Sequence, residues 1–267
     1  MDAIQQELLA QVADLHEVPE GAYNIRANGE MAGRNTTANI DIVTKEDCPG
    51  IDIRIKPGTK GESVHIPVVL SQSGIQESVY NDFFVGEDCD ITIIAGCGIH
   101  NGGSAASAHS GVHRFFVEKN AKVRYVEKHY GSGDGSGERI MNPTTDIHLA
   151  EGASLEMETV QIKGIDSTER TTTAEVAEGA SLVIKEKIMT HGKQYAGTDF
   201  TVNMAGADSS VNLISRSVAK EHSRQIFRSR IVGNASCHGH SECDAIIMDE
   251  ASVSAIPELT ANHIDAN

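Results

Sequence analysis

The chain repeats one nine-residue unit, seen best in Leu149-Ala-Glu-Gly-Ala-Ser-Leu-Glu-Met157 and again, 27 positions later, in Val176-Ala-Glu-Gly-Ala-Ser-Leu-Val-Ile184. Each copy has an apolar residue, a polar turn containing glycine, a small residue, and then an alternating segment. Similarity at such a spacing is typical of repeat architectures, in which one short unit stacks on the next. The fold is therefore expected to consist of stacked copies of this unit.

Degenerate copies of the unit extend the pattern in both directions, at residues 85–93, 117–125, 205–213, 231–239 and 247–255. When the copies are aligned, the small residue of each forms a column. That column reads Cys89, Ala121, Ala153, Ala180, Ser209, Ala235 and Ala251. The first five steps, of 26 to 32 residues, suit one coil of a β-solenoid. The last step, of 16 residues, suits half a coil, as if two faces shared the same turn chemistry.

Apolar and polar residues alternate after each turn. Two positions beyond the small residue, the aligned copies read Ile91, Val123, Leu155, Leu182, Val211, Cys237 and Val253. A period of two predicts strands with one buried face, and no 3.6-residue period is present that would indicate helical repeats. A β-solenoid is the favoured fold, and a β-sandwich is the alternative, because it also has short strands with regular turns.

Composition agrees with a core of stacked strands. Hydrophobic residues make up 39% and charged residues 22%, as in a globular chain. Aromatic residues make up only 4%, with no Trp, so Val, Ile, Leu and Ala must fill the core. Residues 3–16 are predicted to form a short amphipathic helix. Its apolar face consists of Ile4, Leu8, Leu9, Val12 and Leu15. We expect a helical segment over residues 1–20 and a β-helix core over residues 21–267.

Charge and hydropathy exclude several classes of function. The formal net charge of −16 argues against binding to nucleic acid or to an anionic membrane, since both attract basic proteins. No apolar run approaches the roughly 20 residues that a membrane span needs. The start of the chain lacks the basic and apolar regions of a signal peptide. A cytoplasmic location is the expectation.

The chain has five cysteines: Cys48, Cys89, Cys97, Cys237 and Cys243. An odd number in a long cytosolic chain argues against a disulfide framework. Two of the five belong to the densest chemical cluster, Cys237-His238-Gly239-His240-Ser241-Glu242-Cys243. Thiolate and imidazole ligands suit iron–sulfur clusters, zinc or copper, although Cys-x5-Cys is not the usual zinc spacing. The candidate metal ligands are Cys243, Cys237, His238 and His240.

The alternation of a strand predicts which side chains of this cluster point into the core and which point to solvent. Cys237, Gly239, Ser241 and Cys243 should point inward, and the histidines between them outward. Because Gly239 then occupies a column of large apolar residues, the interior loses bulk there. We hypothesise a small passage lined by Cys237 and Cys243; the alternative is that Cys237 is a small buried hydrophobe.

A second constellation could also bind metal. Cys97, His100, His109 and His113 together could hold zinc tetrahedrally. The segment between them, residues 102–107, has the composition of a plain loop. With twelve histidines in the chain, a chance grouping is the alternative.

No residue set for catalysis is evident, so the chain is predicted not to be an enzyme. It has no Gly-x-Ser-x-Gly motif, and the glycine-rich residues 131–137 lack the Lys-Ser/Thr pair of a phosphate loop. We therefore expect no bound nucleotide and interpret residues 131–137 as a mobile loop inserted in the repeats. The repeats also show no stacked aromatic column, which argues against a carbohydrate-binding β-helix.

Several segments carry a resemblance to a known family. They are residues 21–26, 65–67, 80–83, 128–131, 141–143, 161–164, 213–218, 239–244 and 256–259. In these segments the chain resembles the SufB/SufD family of iron–sulfur cluster assembly scaffolds, in the compact stand-alone form of archaea and anaerobic bacteria. The repeats and the resemblance together predict an all-β fold, a right-handed parallel β-helix with a short N-terminal helix.

The resemblance implies more than the residues do. Members pair through their cores, so a homodimer is expected here. They bind a SufC-like ABC-type ATPase through a C-terminal helical segment, accept sulfur and iron from donors, and build a transient iron–sulfur cluster. The family's sulfur-accepting cysteine lies in a Cys-Asp motif, which matches Cys243-Asp244. The ATPase-docking segment is expected to be absent from these 267 residues. The alternative function is a structural partner subunit that does not itself hold the cluster.

Overall fold

The computed structural model describes all 267 residues, which form one α-helix and nineteen β-strands. The helix is α1 (Ala3–Ala13). The strands are β1 (Ala22–Ala27), β2 (Glu30–Asn35), β3 (Ile40–Thr44), β4 (Gly50–Ile55), β5 (Lys60–Leu70), β6 (Gln76–Val85), β7 (Asp90–His100), β8 (Ser107–Val117), β9 (Lys122–Ser132), β10 (Arg139–Met141), β11 (Thr144–Leu149), β12 (Ser154–Lys163), β13 (Ser167–Val176), β14 (Ser181–Thr190), β15 (Tyr195–Met204), β16 (Ser209–Ala219), β17 (Arg224–Gly233), β18 (Cys237–Ile247) and β19 (Ser252–Ala261).

The strands form two sheets that the chain visits alternately. Sheet A has the order β18-β16-β14-β12-β9-β7-β5-β1-β2, and sheet B has the order β19-β17-β15-β13-β10-β8-β6-β4-β3, with β11 continuing β10. Apart from the first hairpin of each sheet, neighbouring strands are parallel. The chain is therefore a parallel β-solenoid of about seven turns, and the predicted all-β β-helix with a short N-terminal helix is confirmed.

The turns from sheet B to sheet A explain why the repeat has a polar turn. In six successive turns one residue has a positive φ, between 55° and 75°. These residues are Gly58, Asp88, Asn120, Gly152, Gly179 and Asp208. Glycine, Asn and Asp adopt this left-handed conformation most easily, because other side chains clash with the backbone there. The half-coil step is explained too, since Ala251 precedes β19 of sheet B whereas the other small residues precede strands of sheet A.

The core lies between the two sheets. Thirty-seven buried residues form its largest apolar cluster, which consists mainly of Ile, Val, Leu and Ala, as composition predicts. Five rings interrupt this pattern. Phe83 stacks on Phe115 with centroids 4.5 Å apart, and Tyr125 meets Phe115 edge-on at 5.1 Å. Phe200 and Phe227 form a second pair on β15 and β17, with centroids 5.9 Å apart. The aromatic residues of the core thus lie in two groups.

A second aromatic column lies on the outer face of sheet B, and its absence was predicted wrongly. Phe84, Phe116 and His148 stack in register on β6, β8 and β11, with centroids 5.2 Å apart at each step. The three residues are spaced by 32 positions, and each directly precedes one of the repeat units that begin at Val85, Val117 and Leu149. Extending the aligned unit by one residue would therefore have revealed the column. The ring faces cover one another, which leaves the central ring with no free face on which a sugar could stack.

Helix α1 packs on the outside of sheet A. Leu8 and Val12 are buried over Gly98 and Gly96 of β7, where a side chain would collide with the helix. The helix ends earlier than predicted because Asp14 adopts a left-handed conformation as the C-cap, so Leu15 lies beyond it. No helix in the structure has the length and apolar character needed to cross a membrane.

The glycine-rich residues 131–137 are a packed edge of the solenoid, not the mobile loop that composition suggested. Gly135 and Gly137 donate backbone hydrogen bonds to Asn101 and Gly103, each at 3.0 Å. A side chain at Gly131 would overlap the carbonyl of Gly164. Alternate glycines therefore allow backbones of successive coils to approach closely.

Candidate functional site

The cluster of cysteines and histidines at residues 237–243 lies in the first part of β18, the last strand of sheet A. The strand pairs in parallel with β16, and the predicted alternation is present: Cys237, Gly239, Ser241 and Cys243 lie opposite the inward-facing Ser209, Val211, Leu213 and Ser215. His238, His240 and Glu242 lie on the other face, as predicted.

The register of β18 differs from the sequence alignment by two residues. The alignment placed Cys237 beside Val211, but Cys237 pairs with Ser209 and therefore belongs to the small-residue column. The alignment matched Ile231 with Ala205, three positions from its true partner Val202, and the turn before β18 is one residue shorter than the turn before β16, so the net displacement is two residues. A shift of two preserves which face each side chain occupies, so alternation by itself does not detect it.

The interior does lose bulk at this strand. A cavity of about 210 Å³ is bordered by Cys237 and Gly239, together with Met204, Ile231 and Ala266. Cys243 does not border it, so the hypothesised passage lined by both cysteines is not formed. Cys237 is only 6% exposed, and its strand is covered by Asn267, which exchanges backbone hydrogen bonds with Cys237 and Gly239. Cys237 therefore fits the alternative, a small buried hydrophobe.

The two histidines of the cluster face away from the cysteines. His238 is exposed, and its Nδ1 lies 2.7 Å from the side-chain oxygen of Asn267. His240 is also exposed, with its Nε2 3.5 Å from the Glu242 carboxylate. Six residues of extended strand place Cys237 and Cys243 roughly 20 Å apart. The four nominated ligands therefore cannot share one ion within a single chain, and no group of three metal-binding side chains is assembled anywhere in the structure.

Cys243 has a different environment from the other thiols. It is partly buried, packs against the apolar core, and lies beside Ser215 of β16. Burial raises the pKa of the Cys243 thiol, and the negative charges of Glu186 and Asp244 raise it further. The side chain is thus a protonated thiol at neutral pH, available to a partner or ion that can displace its proton.

Behind Cys243 the interior of the solenoid is polar and charged. Arg170 of β13 donates to Glu127 of β9 at 2.9 Å, and its Nε lies 3.8 Å from Glu186 of β14. Glu186 also accepts hydrogen bonds from Thr198 at 2.8 Å and from Ser215 at 2.9 Å. Because Ser215 is the neighbour of Cys243, a continuous row of polar groups runs from Glu127 to the Cys243 thiol.

Opposite pKa shifts distinguish the two carboxylates. Burial by itself would raise the pKa of Glu127, but the positive Arg170 and the nearby His129 hold it well below its usual value. Burial raises the pKa of Glu186, and the attraction of Arg170 and two hydroxyl hydrogen bonds only partly offset this. Glu127 is therefore the ionised partner of Arg170, whereas Glu186 binds a proton more readily than a free glutamate does.

These charged residues were not predicted, although the sequence carries a signal for them. Glu127 follows Val123 and Tyr125 at the inward period of two, and Glu186 follows Leu182 and Ile184 in the same way. A charged residue at an inward position is costly unless it is paired, so such positions indicate an interior polar network.

The second predicted constellation is partly assembled. Cys97, His109 and His113 border one interior cavity, and they are joined there by Glu127 and His129, which were not predicted. His100 is not part of this group: it points outward, with its Nδ1 3.1 Å from the Ser132 hydroxyl. Its odd separation from Cys97 along one strand places the two side chains on opposite faces. Burial, with Glu77 and Glu127 nearby, raises the pKa of Cys97 well above its usual value.

Comparison with known proteins assigns this architecture to a family. Residues 74–267 match the family described as SUF system FeS cluster assembly, SufBD core domain. This match covers most of the solenoid, from before β6 to beyond β19, and includes Cys243 and the interior polar row.

Archaeal relatives agree with that match. An "Iron-sulfur cluster assembly SufBD family protein" of Archaeoglobus fulgidus is 30% identical over 223 residues, covering 82% of this chain and 58% of the relative. A protein of the same description from Methanothermobacter thermautotrophicus (strain Delta H) is 25% identical over 215 residues, covering 79% of this chain and 51% of the relative. The chain spans little more than half the length of these relatives. The chain belongs to the SufBD family of iron–sulfur cluster assembly proteins.

Proposed function

We propose that this chain is an iron–sulfur cluster assembly scaffold on which Cys243 accepts sulfur and binds iron of the nascent cluster. The position of Cys243 carries the proposal. Cys89, Cys97 and Cys237 are buried, and Cys48 lies in a turn before β4, away from the interior polar row. Cys243 combines partial exposure, a place on the last strand of sheet A, and polar groups behind it.

The chemistry of Cys243 fits a transient acceptor. Its raised pKa keeps the free thiol protonated, so it is protected from indiscriminate oxidation until a sulfur donor or iron approaches. Binding of iron to the sulfur releases the proton. Glu186, linked to the neighbouring Ser215 and itself of raised pKa, is placed to receive that proton. The cluster is cargo in this scheme and leaves with a client protein.

A second copy of the chain is the proposed partner at the last coil. Exposed apolar side chains are concentrated on β18, β19 and the turn between them. They are Ile246, Ile247, Met248, Ile256 and Leu259. Each of these two strands also has one edge without a neighbouring strand along most of its length. Pairing of two such ends would cover the apolar side chains and the free edges, and would bring further ligands near Cys243.

The proposed ATPase partner rests on the family relationship. We propose that a SufC-like ABC-type ATPase supplies the energy for reshaping the scaffold, and that this chain itself binds no nucleotide and catalyses no reaction. Sulfur and iron would arrive from donor proteins. We place the protein in the cytoplasm, where its five free cysteines would stay reduced.

The competing proposal is a structural partner subunit that supports a paralogue holding the cluster. It is favoured by the separation of Cys243 from the other candidate ligands in β18. The two proposals differ in one property: a partner subunit does not need its own Cys243.

Anaerobic reconstitution tests this difference. The chain is incubated with ferrous iron and sulfide, desalted, and examined by absorbance, as are Cys243→Ser and the matched control Cys48→Ser. For a scaffold we expect thiolate-to-iron charge-transfer bands in the unaltered chain and in Cys48→Ser, with loss of those bands in Cys243→Ser. Bands of equal intensity in Cys243→Ser would overturn the assigned role of Cys243, and no bands in any chain would favour the partner subunit.

A further inference from the structure

A small cavity in the solenoid interior is surrounded by metal-binding side chains. Its volume is about 10 Å³, which is room for about one water molecule or ion. Donor groups reach it from both sheets. They are Cys97, Glu127 and His129 of sheet A, and His109 and His113 of sheet B. The place is distinct from Cys243, which lies four strands from His129 in sheet A.

Hydrogen bonds fix the protonation of the two histidines from sheet B. His109 Nδ1 lies 3.1 Å from the Glu77 carboxylate and donates to it. His113 Nδ1 lies 2.8 Å from the Tyr125 hydroxyl, which donates its own hydrogen to Glu127 and so accepts from His113. Each ring therefore carries its hydrogen on Nδ1 and has its acceptor nitrogen at Nε2. Metal-binding histidines are oriented by partners of this kind, a carboxylate above all. His113 Nε2 accepts a 3.3 Å hydrogen bond from the Asn81 amide nitrogen, and a metal ion at His113 would replace that bond.

Gly111 provides the space in front of these acceptor nitrogens. It lies between the two histidines on the same inward face of β8. A methyl group added at Gly111 would lie 3.2 Å from His113 Nε2 and 3.4 Å from His109 Nε2. Both nitrogen atoms thus border the volume that glycine leaves free. Nearby, the side-chain oxygen of Asn81 is buried beside His113 and has no hydrogen-bond partner.

The remaining donors complete the surroundings. Cys97 lies beside His129 on the neighbouring strand of sheet A. His129 Nδ1 lies 3.3 Å from the Gln161 side-chain oxygen and donates to it, and His129 Nε2 is directed at Glu127 Oε1, 3.6 Å away. Cys97 is therefore the third donor with a lone pair available to the cavity, and its thiolate would supply the negative charge that a buried cation requires.

We propose that this cavity binds one divalent transition-metal ion of the zinc or iron(II) class through His109 Nε2, His113 Nε2 and Cys97 Sγ. Two imidazoles and a thiolate suit such an ion, whose fourth position would face Glu127 and His129. The three donors are not at bonding distance in this structure, so binding requires the side chains to turn inward. The ion would join β7 to β8 across the interior, where polar groups interrupt the apolar core, and would stabilise the fold.

Cobalt(II) is the probe, because tetrahedral cobalt–thiolate centres have intense visible and near-ultraviolet absorption. The full chain carrying Cys48→Ser, Cys237→Ser and Cys243→Ser is refolded with cobalt and desalted. We expect one cobalt per chain and a thiolate charge-transfer band. Further substitution with Cys97→Ser should abolish the band, and His109→Gln should weaken it. The matched control His100→Gln, on the outer face of the same region, should leave it unchanged.

Two further measurements distinguish a loss of metal binding from misfolding of the variant. Gly111→Ala removes no donor but fills the space, so it should weaken cobalt binding at least tenfold while circular dichroism stays that of a β-solenoid. Zinc should raise the unfolding temperature of the unaltered chain, and not that of Cys97→Ser. No retained cobalt, or a band that survives Cys97→Ser, would show that the cavity holds water only. Because this background lacks Cys243, the result is independent of the proposed cluster assembly.

Discussion

Ser215 and Cys243 lie side by side on adjacent parallel strands, and the Ser215 hydroxyl donates a 2.9 Å hydrogen bond to the buried carboxylate of Glu186. The interior charge of the solenoid is thereby placed close to the proposed acceptor thiol. This relationship has a direct consequence for the reactivity of Cys243.

Replacement Glu186→Gln should lower the pKa of Cys243, because it removes the nearby negative charge that, after burial, disfavours the thiolate most. At a fixed pH between neutrality and the thiol pKa, a larger fraction is then ionised, and alkylation becomes faster. Iodoacetamide labelling of the Cys243 peptide, followed by mass spectrometry across neutral to alkaline pH, measures the change. The matched control is Glu242→Gln, which alters an outward residue paired with Arg216. It should leave the pH dependence of Cys243 alkylation unchanged. If the pH dependence of alkylation were unchanged in Glu186→Gln, the interior charge would have no effect on the ionisation of Cys243.

Replacement Arg170→Met should destabilise the fold by about 3–5 kcal/mol, because it leaves Glu127 and Glu186 buried without their cation. The matched control is Arg230→Met, which breaks an exposed ion pair with Glu258 and should cost about 1 kcal/mol or less. Urea unfolding monitored by circular dichroism gives both values. Adding Glu127→Gln and Glu186→Gln to Arg170→Met should recover part of the loss; equal costs for the two single variants would contradict a buried charge network.

Replacement Phe115→Ala should cost about 3–5 kcal/mol, because it opens a cavity between Phe83 and Tyr125 in the core. Phe116→Ala, one residue further along β8, removes a ring from the outer column and should cost about 1 kcal/mol. The two variants differ only in the face of the strand that they alter. Their unfolding free energies therefore test which of the two aromatic columns stabilises the solenoid.

Replacement Gly131→Ala should prevent normal folding, since the added methyl group would overlap the carbonyl of Gly164 in the next coil. Gly102→Ala is the control, because the nearest atom to an added methyl group there is 3.6 Å away. Soluble yield and unfolding temperature are the measurements. Equal behaviour of the two variants would mean that residues 131–137 are not packed as described.

Replacement Leu259→Glu should convert the proposed homodimer into a monomer, because it places a charge among the exposed apolar side chains of the last coil. Sedimentation velocity at several concentrations measures the mass in solution. Ile162→Glu is the control: Ile162 is similarly exposed, at 56%, but lies at the end of β12, away from that coil. A monomeric unaltered chain, or an unaffected mass in Leu259→Glu, would overturn this interface.

The repeat, the strands and the face to which each side chain points follow from the sequence alone. The units at 149–157 and 176–184 predict a solenoid because each contains the polar turn, with its left-handed residue, that recurs in six successive coils. Alternation correctly placed Cys243 inward and His238 and His240 outward, since successive side chains of a strand must point to opposite faces. The same rule applied to Cys97 and His100 would have separated them.

Strand register and the contacts between distant coils depend on the tertiary structure. Cys237 lies two positions from where the alignment placed it, because the alignment mispaired β17 with β15 and the next turn is one residue shorter. A two-residue shift leaves alternation unchanged, so the sequence pattern does not detect it. Glu127 and Arg170 are 43 residues apart and meet only because parallel coils stack about 5 Å apart and face each other across the core. Periodicity is a local property of a chain, whereas the chemistry of an interior depends on which distant coils are brought together.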